Sequence, residues 1–89
     1  SIRILSPPEE AGRHEVYDLQ FKQDGVLDSL PHAQGAREHL TVIAGHLTVT
    51  SGDAVEQLSN GDTGRYAADV AHKISADGPA RAFLVVHGA

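Results

Sequence analysis

The sequence predicts an all-β fold, a sandwich or small barrel of about nine short strands. Three observations carry this expectation. Short apolar segments recur along the whole chain. Gly, Asp and Asn turn signals separate them. The one polar, helix-compatible stretch, residues 9–14, is too short to hold a helix by itself. Turn signals at this spacing suit a sandwich or small barrel.

Taken in order, residues 2–5 form the first expected strand, and the Pro7–Pro8 pair stops it because proline donates nothing to a ladder. Residues 16–21 alternate, with Tyr17, Leu19 and Phe21 on one side. Asp24–Gly25 is a hairpin-type turn leading to a strand over 26–30, which Pro31 closes. A loop around Gly35 leads to a strand over 38–44. Gly45–His46 turns into 47–50, and Gly52–Asp53 turns into 55–58. Asn60–Gly61–Asp62 is a third tight turn, followed by short strands over 63–66 and 73–75. Asp77–Gly78 then leads into the last strand, 81–86. The stripe Leu40, Val42, Leu47, Val49, Leu84 and Val86 is expected to be barrel packing or a seam between subunits.

Composition narrows the function. The chain has 89 residues, enough for one small domain spanning 1–89. A chain this size buries a bit over ~60% of its unfolded surface, so oligomerisation is a common remedy for modest stability. Cysteine is absent, which removes disulfides and thiolate chemistry and suits a cytoplasmic location. Seven basic residues stand against twelve acidic ones, for a net charge of −5. Such a domain repels phosphate backbones, so direct nucleic-acid contact is not expected. Two Tyr, two Phe and no Trp are too few for a stacking platform. No apolar run reaches membrane-spanning length, and no signal peptide is visible. The start at Ser1 rather than Met leads to the expectation of further sequence upstream.

The chemistry concentrates in four polar residues, His32, Gln34, Glu38 and His72. The first three share one parity and so can share one face of an extended chain. Glu38 also shares its parity with Leu40 and Val42. A carboxylate aimed among core aliphatics is costly unless compensated, and a metal or a cavity ligand is the natural compensation. Alternatively, the four side chains hydrogen-bond one another as a closed polar network, with Arg65 a possible ion partner for Glu38. His39 has the opposite parity and is expected to face solvent or a partner subunit. His14, His46 and His87 read as surface residues. Asp69 either orients the His72 ring or caps its own turn, and the turn is the favoured role.

From His32 the chain reads HAQGAREHLTVIAG, which resembles the first motif of the cupin superfamily. His32, Glu38 and Gly45 fit that motif, while Gln34 stands where a second His belongs. From Gly61, GDTGRYAADVAH resembles the second motif, with Gly61 and His72 matching. Ala67, Asp69 and Ala76 replace the usual Pro, Gly and Asn. The two motifs fall within 32–45 and 61–76, a compact spacing similar to that of small microbial cupins. EHLTVIAG, GDTGRYAADVAH and ARAFLVV further resemble the C-terminal cupin domain of XRE-family helix-turn-helix regulators.

The resemblance implies a double-stranded β-helix, the jelly-roll barrel, with His32, Gln34, Glu38 and His72 converging inside its mouth as metal ligands. It implies a divalent Zn, Ni, Fe or Mn ion, with the neutral Gln34 as the weak member. Arg65, Leu40, Val42 and Ile74 are expected to line the ligand pocket. The implied role is a non-enzymatic, cytoplasmic sensor domain. It would bind a small molecule, form a homodimer and touch DNA only through an absent N-terminal helix-turn-helix domain. The alternative is a small stand-alone metal-dependent cupin enzyme of oxygenase or isomerase type. No catalytic residue is assigned.

Overall fold

The computed structural model describes residues 1–88, and among them it contains nine strands. They are β1 (Ile2–Ile4), β2 (His14–Phe21), β3 (Val26–Ser29), β4 (Arg37–Ala44), β5 (His46–Ser51), β6 (Ala54–Ser59), β7 (Thr63–Ala67), β8 (His72–Ala76) and β9 (Ala80–His87). A single 3-10 turn, Pro8–Glu10, is all that residues 9–14 contribute to helix. The expected strands are present, most of them longer by a residue at one or both ends.

The strands pair antiparallel in two sheets, one ordered β1-β2-β9-β4-β7 and the other β3-β8-β5-β6. The sheets face each other across one core of alternate residues, including Leu19, Leu40, Val42, Leu47, Val49, Ile74, Leu84 and Val86. The packing stripe is therefore barrel interior. Tyr17 and Phe21 pack against the same core with Leu19, as the alternation requires.

Asp24–Gly25 makes a tight turn, with Asp24 at φ 62° and the Gly25 N–H donating to the Lys22 carbonyl at 2.9 Å. It is not a hairpin. β2 pairs with β1 and β9, whereas β3 pairs with β8, so this turn carries the chain from one sheet to the other. Between Val42 and Ala44 the β4–β9 register shifts by one residue. The bulge leaves Ile43 exposed and delivers the chain to Gly45.

On the outer face of the larger sheet, Arg81 forks onto Asp18, Nε to Oδ1 at 3.1 Å and Nη2 to Oδ2 at 2.8 Å. Arg81 is the main cause holding the Asp18 carboxyl below the usual carboxylate range, and Arg3 adds to it. A depressed native pKa stabilises the fold above the ordinary Asp range, and this contribution disappears as pH falls through the lowered value. The Asp18→Asn variant will therefore melt below the parent at neutral pH. Parallel melting curves should show the gap narrowing below roughly pH 4. A gap of constant size down to pH 2 would contradict this role.

Candidate functional site

Glu38 lies on β4 between Tyr66 of β7 and Val86 of β9, its cross-strand partners. Its alternation with Leu40 and Val42 turns it inward, and it is 2% exposed. His72 opens β8 in the opposite sheet, in register with Ser29 and Ser51, and it too is buried. His32 comes from the loop after β3. Its backbone N–H donates to the Ala68 carbonyl at 2.8 Å, and the Gly35 N–H donates to Asp69 Oδ2 at 2.9 Å. These bonds tie the loop before β4 to the loop before β8. Asp69 thus neither orients the His72 ring nor caps its own turn; it clamps the two loops together.

The three side chains meet at one carboxylate. Glu38 Oε2 lies 3.0 Å from His72 Nε2 and 3.2 Å from His32 Nε2. The Tyr66 hydroxyl donates to Oε1 at 2.6 Å. Burial first, then the Glu38 charge and this hydrogen bond, push the Tyr66 phenol up, so it stays a protonated donor. Tyr66, not Arg65, is therefore the additional partner of Glu38.

The His72 contact is chemically demanding. Nδ1 lies 2.7 Å from the Val70 carbonyl, which only accepts, so Nδ1 carries the ring proton. In the neutral ring, Nε2 then points a lone pair at a carboxylate oxygen. Two acceptors at 3.0 Å repel unless a second proton or a metal cation lies between them. Donor atoms of His32, Glu38 and His72 lie within 4.8 Å of one another, the only such group of three among the described residues. Two imidazole nitrogens and one carboxylate suit a divalent first-row metal, and the Val70 carbonyl supplies the outer hydrogen bond that orients a metal-bound imidazole. The residues fit the metal.

Beside the cluster is a cavity of about 200 Å³. His32 and Glu38 form its polar end with Glu15, Tyr17 and Ser29, and Ile2, Leu19, Leu27, Leu84 and Val86 supply the apolar walls. The Tyr17 hydroxyl donates to Glu15 Oε1 at 2.8 Å. The Gly12 N–H and then this hydroxyl lower the Glu15 carboxyl, while burial and the Glu15 contact push Tyr17 up to about 12. No Lys or Arg lines the cavity.

Other expected site residues fall elsewhere. Gln34 is exposed on the Ala33–Gly35 turn and does not join the cluster. Alternation holds only within a strand, and β4 begins at Arg37, so shared parity says nothing about Gln34. Arg65 alternates with inward Gly64 and Tyr66, which turns it to the outer face, opposite His39. Burial first, then His87, Arg65 and Arg37, push His39 below the ordinary histidine value there. Leu40, Val42 and Ile74 are packed in the core at 0–2% exposure and do not line the cavity.

No protein-family model matches the chain. It is 34% identical over 71 residues to the HTH-type transcriptional regulator SutR of Escherichia coli K12. That match takes in 80% of this chain and 40% of the relative, so the chain spans well under half of the curated protein it matches. Among solved structures it is similar to the Cupin_2 domain of an XRE family transcriptional regulator from Enterobacter cloacae. The TM-score is 0.85 and the identity 22%, over 98% of this chain and 94% of that one. It is also similar to an HTH_3 family transcriptional regulator from Vibrio cholerae, at TM-score 0.86 and 24% identity, over 97% of this chain and 49% of that one. A cupin 2 domain-containing protein from Halorhodospira halophila matches at TM-score 0.80 and 23% identity, over all of this chain and 64% of that one. The fold is the cupin jelly roll, and the domain resembles those associated with XRE regulators.

Proposed function

We propose that this cupin domain is the small-molecule sensor of a cytoplasmic transcription regulator, binding a metabolite in its barrel through a divalent metal. The observation that carries this reading is the His32–Glu38–His72 cluster opening onto a partly apolar cavity. His32, Glu38 and His72 would hold the metal, which would supply a Lewis-acid position for an oxygen or nitrogen donor of the ligand. Glu15, Tyr17 and Ser29 would fix the ligand's polar groups, and the apolar walls its body. At about 200 Å³ the cavity is below the usual range of drug-sized sites, which favours a small metabolite.

Regulation then follows from differential affinity. A ligand that fits one barrel or dimer geometry better shifts the population toward it. A homodimer would present two upstream helix-turn-helix modules to a two-fold operator. The similarity to helix-turn-helix regulators supports this arrangement. With a net charge of −5, the domain itself would not touch DNA.

The test is native mass spectrometry and elemental analysis of protein purified without chelators, alongside Glu38→Ala. The parent should carry one metal and a small molecule that the variant lacks. A parent that carries neither, and whose melting temperature no divalent metal raises, would overturn the reading. A second reading, a small metal-dependent enzyme, draws on the same two-imidazole, one-carboxylate set, which leaves coordination positions open. Consumption of the recovered molecule on incubation with loaded protein would favour the enzyme; its recovery intact favours the sensor.

A further inference from the structure

We propose that the outer face of the five-stranded sheet carries a second site for a divalent transition metal, built by His14 and His87 with His39 as third donor. The three come from neighbouring strands, β2, β9 and β4. His14 stands directly across from His87, and His39 lies one row further along, across from Val85. The His14 and His87 rings are 4.8 Å apart between centroids, and the same distance separates His39 from His87.

The nitrogen spacing of the first pair is that of a chelate. His14 Nδ1 and His87 Nδ1 lie 3.2 Å apart. Two imidazole nitrogens bound to one tetrahedral zinc sit about 3.3 Å from each other, from bond lengths of roughly 2.0–2.1 Å. A single proton bridges the two nitrogens at this distance, and turning the two rings until both lone pairs converge beside the N···N line would let a metal ion take its place. His39 completes the set by rotating its side chain, since its donor atoms are not within 4.8 Å of both partners in the present arrangement.

Chemistry sets the class of ion. An all-imidazole site suits Zn²⁺, Cu²⁺ or Ni²⁺ and disfavours Mg²⁺ and Ca²⁺, which require oxygen ligands. Arg37 lies beside His87 in register, and Arg65 beside His39. Their charges oppose a bound cation, but salt screens them at an exposed face, and they favour an anion on the metal's open positions. The site is separate from the interior cluster: His39 and Glu38 are sequence neighbours that point to opposite faces of β4.

The test is a Zn²⁺ titration of the whole chain with imidazole ¹⁵N spectra recorded at each addition. The coordinated Nδ1 resonances of His14 and His87 should shift in a step separate from those of His32 and His72. His14→Asn/His87→Asn should lose that equivalent while keeping the parent's melting temperature, and His39→Asn should weaken it about tenfold or more. Zinc-dependent shifts confined to His32 and His72 would overturn the proposal. So would a double variant that binds as many zinc ions as the parent.

Discussion

Replacing Glu38 with glutamine is expected to leave the metal-free domain at least as stable as the metal-free parent while weakening metal binding at the interior cluster about 100-fold or more. The reason is the clash of acceptors at His72. Glutamine keeps a carbonyl oxygen for the Tyr66 hydroxyl and puts an amide N–H where Oε2 meets the His72 Nε2 lone pair. A repulsive contact becomes a hydrogen bond, and the anionic ligand is lost. Alanine behaves differently. It leaves the buried Tyr66 hydroxyl and His72 Nε2 without partners, at a cost of about 3 kcal/mol. In a domain of this size that lowers the melting temperature by roughly 10–20 °C. For zinc, both variants should bind about 100-fold or more weakly, since even outer-sphere losses reach that range. Thermal melts and zinc titrations on the three proteins decide the matter. Should Glu38→Gln melt as low as Glu38→Ala, the metal-free protein has no clash of acceptors at His72 for the amide to relieve.

The second large effect is expected at Gly45, just past the bulge that ends β4. Its φ is 89°, and a Cβ built there would lie 2.5 Å from the Pro79 carbonyl oxygen and 2.9 Å from Ala80 Cβ. Both obstacles belong to the backbone or to a side chain with no rotamer to give. Gly45→Ala should therefore cost about 3 kcal/mol or more, the left-handed backbone and the collision adding together. Gly61 is the control. Its φ is 90°, but nothing lies within 4 Å of the added carbon. Gly61→Ala should cost only about 1–2 kcal/mol, the backbone contribution alone. Melting temperatures of the two variants should differ by roughly 10 °C. Equal losses would mean that the loop at Pro79 yields freely.

The cluster is partly legible in the amino-acid sequence. Glu38 stands out because alternation with Leu40 and Val42 places it inward, and His72 because it sits at a fixed remove from a glycine turn in the second cupin-like motif. Tyr66 does not, since nothing marks it except being directly across from Glu38, a fact that requires the β4–β7 pairing. Gln34 misleads because parity does not carry through a loop. Leu40, Val42 and Ile74 show the complementary limit: alternation reports which face a residue takes, not its depth from the cavity. Glu15 shares its parity with Tyr17 and Leu19, so its place on the cavity wall is readable once β2 is followed back to His14. The topology is the least accessible part. Asp24–Gly25 has hairpin chemistry, and only the partners of β2 and β3 show it to be a crossing between layers.

Glu38 hangs from β4, which is held between β7 and β9, while His72 hangs from β8, held between β3 and β5. On the reading proposed above, an atom-sized occupant there would be the rivet of a two-plate joint. Such an occupant would set the gap between the plates, and the load would spread to the backbones of all six strands. Amide protons far from the occupant, in strands that never touch it, should then exchange with solvent more slowly.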